Sequence, residues 1–148
     1  MTSKAMADLI VKETQTTDGK RNLLIEGVAF RHPYLFKQLI PYFKDDQNVI
    51  TEDAIKASCA GAVGILEDVR AIWLTKDYNK IFQEAAECGR SKVLKYLIQL
   101  KEKHGYTSID PAAQNNSAFR LAAVNGHSNV LGYLRELKNH GYDNIQVE

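Results

Sequence analysis

The stretch Ala122–Leu134, AAVNGHSNVLGYL, has a sister thirty-seven residues earlier, Ala85–Leu97, AAECGRSKVLKYL. Extended to Tyr142 and Tyr106, the two align with 13 identities over 21 positions and one residue of gap. A repeated unit decides the fold before any single motif does. The shared frame is Ala-Ala, two variable positions, Gly, Val-Leu and Tyr-Leu. Paired alanines let one helix lie close to its neighbours. Gly89 and Gly126 stand where a helix should stop, because glycine takes the left-handed conformation cheaply. Val93, Leu94, Leu97 and Leu100, like Val130, Leu131, Leu134 and Leu137, keep a helical period on one face. Each unit therefore reads as a helix, a tight turn and a second helix.

The frame extends backwards. TEDAIKASCAGAVGILEDVRAIW (51–73) places Ala57 and Ser58 at the small pair, Gly61 at the turn, and Ile65, Leu66 and Val69 in the stripe, which Trp73 continues as a core residue. LLIEGVAFRHPYLFKQLI (23–40) puts Ala29 before a turn at His32-Pro33, with Phe36 and Ile40 in the stripe. Proline suits the first turn of a helix, and Pro41 should end or kink the second one. The expectation is an all-α chain, one domain over 1–148, with repeats at 22–44, 51–74, 77–103 and 115–139. Residues 1–21 are either a capping helix, with an apolar face of Ala5, Met6, Leu9, Ile10 and Val11 and a loop at 15–21, or a flexible segment. After His140 the chain runs out as GYDNIQVE, too short for another unit.

Composition fits such a chain and narrows its partners. The 148 residues are 45% apolar, enough for a core, and carry a net charge of +1. No long-range field of one sign recommends nucleic acid or an anionic membrane. No run approaches the roughly 18 apolar residues of a membrane span, and the polar opening lacks a secretory pattern. Cys59 and Cys88 have no CxxC or Cys/His cluster beside them, which reads as reduced thiols in a cytosol-like compartment.

These residues resemble the ankyrin repeats. In that family a loop rich in Asp, Asn and Gly precedes Leu-Xaa-Leu-Ala-Ala on a short helix, then Gly-His, then Val-Val and Leu-Leu on a longer one. IDPAAQNNSAFRLAAVNGHSNVLGYL (109–134) is similar to that pattern almost throughout, and KIFQEAAECGRSKVLKYL (80–97) follows it. The resemblance implies an ankyrin-like solenoid of about four stacked helix-turn-helix repeats. The family's Thr-Pro-Leu-His is replaced by Ser117-Ala118-Phe119-Arg120, Lys80-Ile81-Phe82-Gln83 and Glu52-Asp53-Ala54-Ile55, so its usual hydrogen bonds between repeats must be replaced as well. Turn positions lie 29, 28 and 37 residues apart, against about 33 for an ankyrin unit. The short spacing leaves too little chain between Trp73 and Asn79 for a full projecting finger.

Reactive groups are scarce in this frame. Cys88 ends a first helix and His127 begins a second helix of the next unit, and the usual spacing of about 8–10 Å between helices separates them. His104 and His140 share one repeat position, where imidazole complements the negative end of a helix. His127 bonds turn backbone in this reading, and neither it nor His32 has ligand-spaced partners. Glu67, Asp68, Glu84 and Glu87 occupy polar helical positions with nothing to shift their pKa. No phosphate-cradling glycine motif is present. Arg90, Lys92, Lys95, Lys101 and Lys103 form a solvated outer face around Tyr96. No catalytic residue, metal or cofactor is expected.

Stacked helical pairs suit recognition of another protein. By the resemblance, the variable positions lie ahead of the first helix and at the two residues before the glycine. These are Gln114, Asn116, Val124 and Asn125 in the last unit and Asp77, Asn79, Glu87 and Cys88 before it, with Cys59 and Ala60 in the 51–74 copy. The expected function is non-catalytic protein binding in the cytoplasm. The chain would be a piece of a larger ankyrin-repeat protein, or an effector of a host-associated microbe acting in host cytosol. The alternative is a structural element that self-associates through the ends of the array.

Overall fold

The computed structural model describes residues 3–29 and 33–147. Among them are nine α-helices and no strand, so the chain is all-α. It divides into two compact units, Met1–Lys76 and Asp77–Glu148.

The first unit holds α1 (Ser3–Glu13), α2 (Thr17–Ala29), α3 (Pro33–Leu39), α4 (Gln47–Ala60) and α5 (Val63–Arg70). The helix α1 exists as expected and Val11 of its expected face is buried, but the other inward residue is Ala7, and Ala5, Met6, Leu9 and Ile10 are exposed. It packs on α3, whereas α2 packs on both α3 and α4. The loop expected at 15–21 shrinks, because α2 already begins at Thr17 and the Thr16 hydroxyl accepts from Gly19 N at 3.0 Å. The turn expected at His32 lies outside the described residues. Pro41 does end the regular helix: Ile40–Phe43 tightens to a 3₁₀ turn carrying Pro41 in its first positions.

In α4 the Asp46 carboxylate accepts from Val49 N at 3.3 Å, satisfying one of the unpaired donors of the first turn. Gly61 ends the helix at φ 75°. Its N–H reaches Ser58 O at 3.2 Å, and Ala62 N reaches Ala57 O at 2.9 Å. The stripe Ile65, Leu66 and Val69 is buried and Trp73 is 1% exposed, its indole N–H donating to Thr51 Oγ1 at 2.8 Å. Gln47 fixes the chain around that indole, donating to Ile72 O at 3.2 Å and accepting from Leu74 N at 2.9 Å.

The second unit holds α6 (Tyr78–Glu87), α7 (Ser91–His104), α8 (Ala113–Val124) and α9 (Ser128–Asn139). The helix α6 packs along α7 and α8, and α9 packs on α8 and α7. Both turns repeat the Gly61 geometry. Arg90 N reaches Ala85 O at 2.8 Å, and His127 N reaches Ala122 O at 2.9 Å. Ala85 and Ala122 are wholly buried, so the small pair serves both close packing and the turn's returning hydrogen bond. The His127 side chain makes no cap hydrogen bond, contrary to expectation. Its ring instead lies over Gly89, where a Cβ would come within 2.7 Å of Nδ1.

The repeat extends past the helices. Lys101 donates to Thr107 O and Ile109 O, and Lys138 donates to Asp143 O and Ile145 O. Tyr106 N and Tyr142 N return to Leu100 O and Leu137 O, each at 3.2 Å. Residues 142–146 therefore re-form the loop at 106–110, with Ile109 and Ile145 buried alike.

Candidate functional site

The loops just described decide which of the sequence-derived candidates face solvent. Asn79 donates to Ser108 O at 3.1 Å and accepts from Asp110 N at 2.7 Å. Its repeat partner Asn116 accepts from Gln146 N at 2.9 Å and is buried. Both amides fasten the loop that follows their own hairpin. Asn116 is therefore turned into the structure and not displayed on its surface.

The remaining candidates fall into two groups. Asp77, Asn79 and Gln114 line one open groove of about 440 Å³ where α6 and α8 begin. Glu87, Cys88, Val124 and Asn125 sit at the other ends of those helices, about 15 Å away at 1.5 Å per residue. Glu87, Val124 and Asn125 are exposed, Val124 by 83%, and Asn125 Nδ2 donates to Leu121 O at 2.9 Å. Cys88 is half-buried, and neither Cys88 nor Cys59 is a free thiol. The expectation of two reduced thiols is thereby corrected, and the inference of a reducing compartment loses its ground.

Four residues that sequence reasoning missed complete the groove: Lys80, Gln83, Ser117 and Arg120. They are two repeat-equivalent pairs, Lys80 with Ser117 and Gln83 with Arg120, each pair 37 positions apart. That i, i+3 spacing on two stacked helices was the available signal. Local structure holds the site open. Asp77 caps α6, accepting from Lys80 N at 3.2 Å. On the facing helix Gln114, Asn115 and Asn116 take left-handed conformations, at φ 55°, 57° and 61°. Arg120 clamps that turn, its Nε donating to Asn115 O and its Nη2 to Gln114 O, each at 3.1 Å. Lys80, Gln83, Gln114 and Ser117 have side chains with no hydrogen bond among the described residues.

Titratable groups of the first unit depart from expectation. Asp68, read as an unshifted surface acid, has its pKa raised by burial, with Lys37 at 4.0 Å partly opposing. Asp53 is 2% exposed, and its Oδ2 accepts no hydrogen bond among the described residues. Desolvation, helped by the Glu52 charge, pushes its pKa up to about 7, while Lys56 and Arg21 oppose. It stands at the repeat position of the buried Ile81 and Ala118, a core position occupied by an acid.

Among the described residues no helix is long and apolar enough to cross a membrane. No protein-family model, curated protein or solved structure matches the chain.

Proposed function

We propose that this chain is a non-catalytic protein-recognition module built from ankyrin-like hairpins, and that it engages its partner through the groove at the start of α6 and α8. The observation that carries this reading is the groove's unspent lining. Lys80, Gln83, Gln114 and Ser117 have side chains without hydrogen bonds among the described residues, three of them displayed on helices and Gln114 on the turn that Arg120 clamps. The groove is open and polar, a shape suited to another macromolecule's surface more than to an enclosed small molecule. The repeated Gly turns and the two amide-fastened loops support the ankyrin-like assignment.

The test is affinity capture from lysate with the intact chain and with a Lys80→Glu, Gln83→Ala, Ser117→Ala variant. Partners held by the groove are lost from the variant while its helical circular dichroism is kept. Equal recovery by both proteins would remove the groove from the reading.

A second reading, self-association, is favoured by the outer face of α1. There Met6, Leu9 and Ile10, spaced i, i+3 and i+4, are 46%, 40% and 38% exposed.

A further inference from the structure

The groove's chemistry also narrows what it recognises, on the premise that it is the recognition surface. Lys80 brings an ammonium with three donors, Gln83 and Gln114 bring amides and Ser117 a hydroxyl, all without hydrogen bonds among the described residues. Arg120 spends Nε and Nη2 on two carbonyls, which leaves other guanidinium N–H groups for a ligand. The opposing acid in the lining is Asp77, and its Oδ1 is engaged by Lys80 N. Two cations thus face this one carboxylate, and the lining carries an excess of positive charge. The amides and the hydroxyl can accept as well as donate, so it is the excess of positive charge that favours a ligand bringing negative charge.

We propose that the groove binds an acidic peptide segment, an Asp- or Glu-rich stretch of a partner protein, with carboxylates seated between Lys80 and Arg120. An apolar segment would strip water from Lys80 and the amides without replacing its hydrogen bonds. A basic segment would meet two like charges. A carboxylate matches the guanidinium fork and accepts from the neighbouring amides. The clamped turn at Gln114–Asn116 holds one rim before the partner arrives, which lowers the ordering cost of binding.

The experiment uses the full chain and a fluorescein-labelled hexaglutamate peptide followed by anisotropy, with hexaglutamine, hexalysine and a single-stranded oligothymidylate as competitors. Hexaglutamate should bind, and its amide chemical-shift changes should gather at Lys80, Gln83, Gln114 and Ser117. Lys80→Glu should weaken it by about tenfold, as expected for a close charge pair. Lys103→Glu, the same charge change at an exposed site elsewhere in this unit, should leave it unchanged. The proposal is overturned if the two variants weaken binding equally or if hexaglutamine competes as well. It is overturned too if oligothymidylate displaces the peptide at equal affinity, or if hexaglutamate does not bind. If hexaglutamate fails while the groove variant still loses a captured cellular partner, the recognition reading stands and the acidic class falls.

Discussion

Asp53 departs furthest, at the residue scale, from what its sequence neighbours suggest. In EDAIKA an acid beside another acid reads as a solvated face, yet the repeat frame assigns position 53 to the inward row that holds Ile81 and Ala118. Oδ2 accepts no hydrogen bond among the described residues, and burial raises the pKa from 3.8 to about 7. The sign of the consequence follows from proton binding. Between pH 4 and 7 the folded chain holds a proton on Asp53 that the unfolded chain has released, so stability falls as pH rises through that window and levels off above it. Asp53→Asn keeps the shape and removes the charge. It should stabilise the first unit by on the order of 2 kcal/mol at pH 8, have little effect at pH 4, and abolish this part of the pH dependence. Urea unfolding at pH 5 and pH 8, followed by the fluorescence of Trp73, measures it. A variant as pH-dependent as the parent would mean that Asp53 is hydrated in the folded chain.

At the scale of elements, much of the fold was legible because glycine and the paired small residues have few alternative uses. Gly61, Gly89 and Gly126 all take the left-handed turn conformation, at φ 75°, 76° and 74°. Each of the three stands between two helices, in the turns of α4–α5, α6–α7 and α8–α9. The face of α1 was misjudged because either side of MADLIV offers an apolar row, and packing on α3 selects Ala7 and Val11 over the larger residues. Of the site, Asp77, Asn79 and Gln114 were legible as variable positions ahead of a helix. Lys80, Gln83, Ser117 and Arg120 were not, since only the stacking of α6 on α8 brings their two rows together. The left-handed turn was also hidden, because QNNS contains no glycine to announce it. Each left-handed L-residue costs roughly 1–2 kcal/mol, asparagine less than most, and Arg120 offsets part of that. Gln114→Gly should therefore stabilise the second unit by about 1 kcal/mol. Arg120→Ala should destabilise it by about 1–2 kcal/mol by freeing two carbonyls. Thermal unfolding checks both. A destabilising Gln114→Gly would show that the side chain contributes packing which outweighs the backbone cost.

Oligomeric state, a property of the whole molecule, turns on two outward faces of opposite chemistry. On α1 the outward residues Met6, Leu9 and Ile10 are apolar. On the α8–α9 hairpin the row is polar where its covered counterparts are apolar: exposed Asn115 replaces buried Tyr78, and exposed Arg135 replaces buried Ile98. Ile98 lines a hollow with Tyr133 and Leu137 of α9, so its repeat position is the one a following hairpin covers. At that position Arg135 lays its guanidinium over the Phe119 ring at 5.6 Å. A polar outer face of this kind is how a repeat hairpin resists further stacking. Three side chains on α1 cannot approach the roughly 1,000 Å² that a specific interface needs, so any association through them is weak. Light scattering should give the monomer mass at micromolar concentration. Association in concentrated solution should be relieved by Leu9→Lys with Ile10→Lys. Arg135→Ile should do the reverse, uncovering Phe119 and restoring the apolar row, and its mass should rise with concentration. A dimer that survives the α1 lysines would place self-association elsewhere. An Arg135→Ile chain that stays monomeric would show that the arginine is not what keeps this face from stacking.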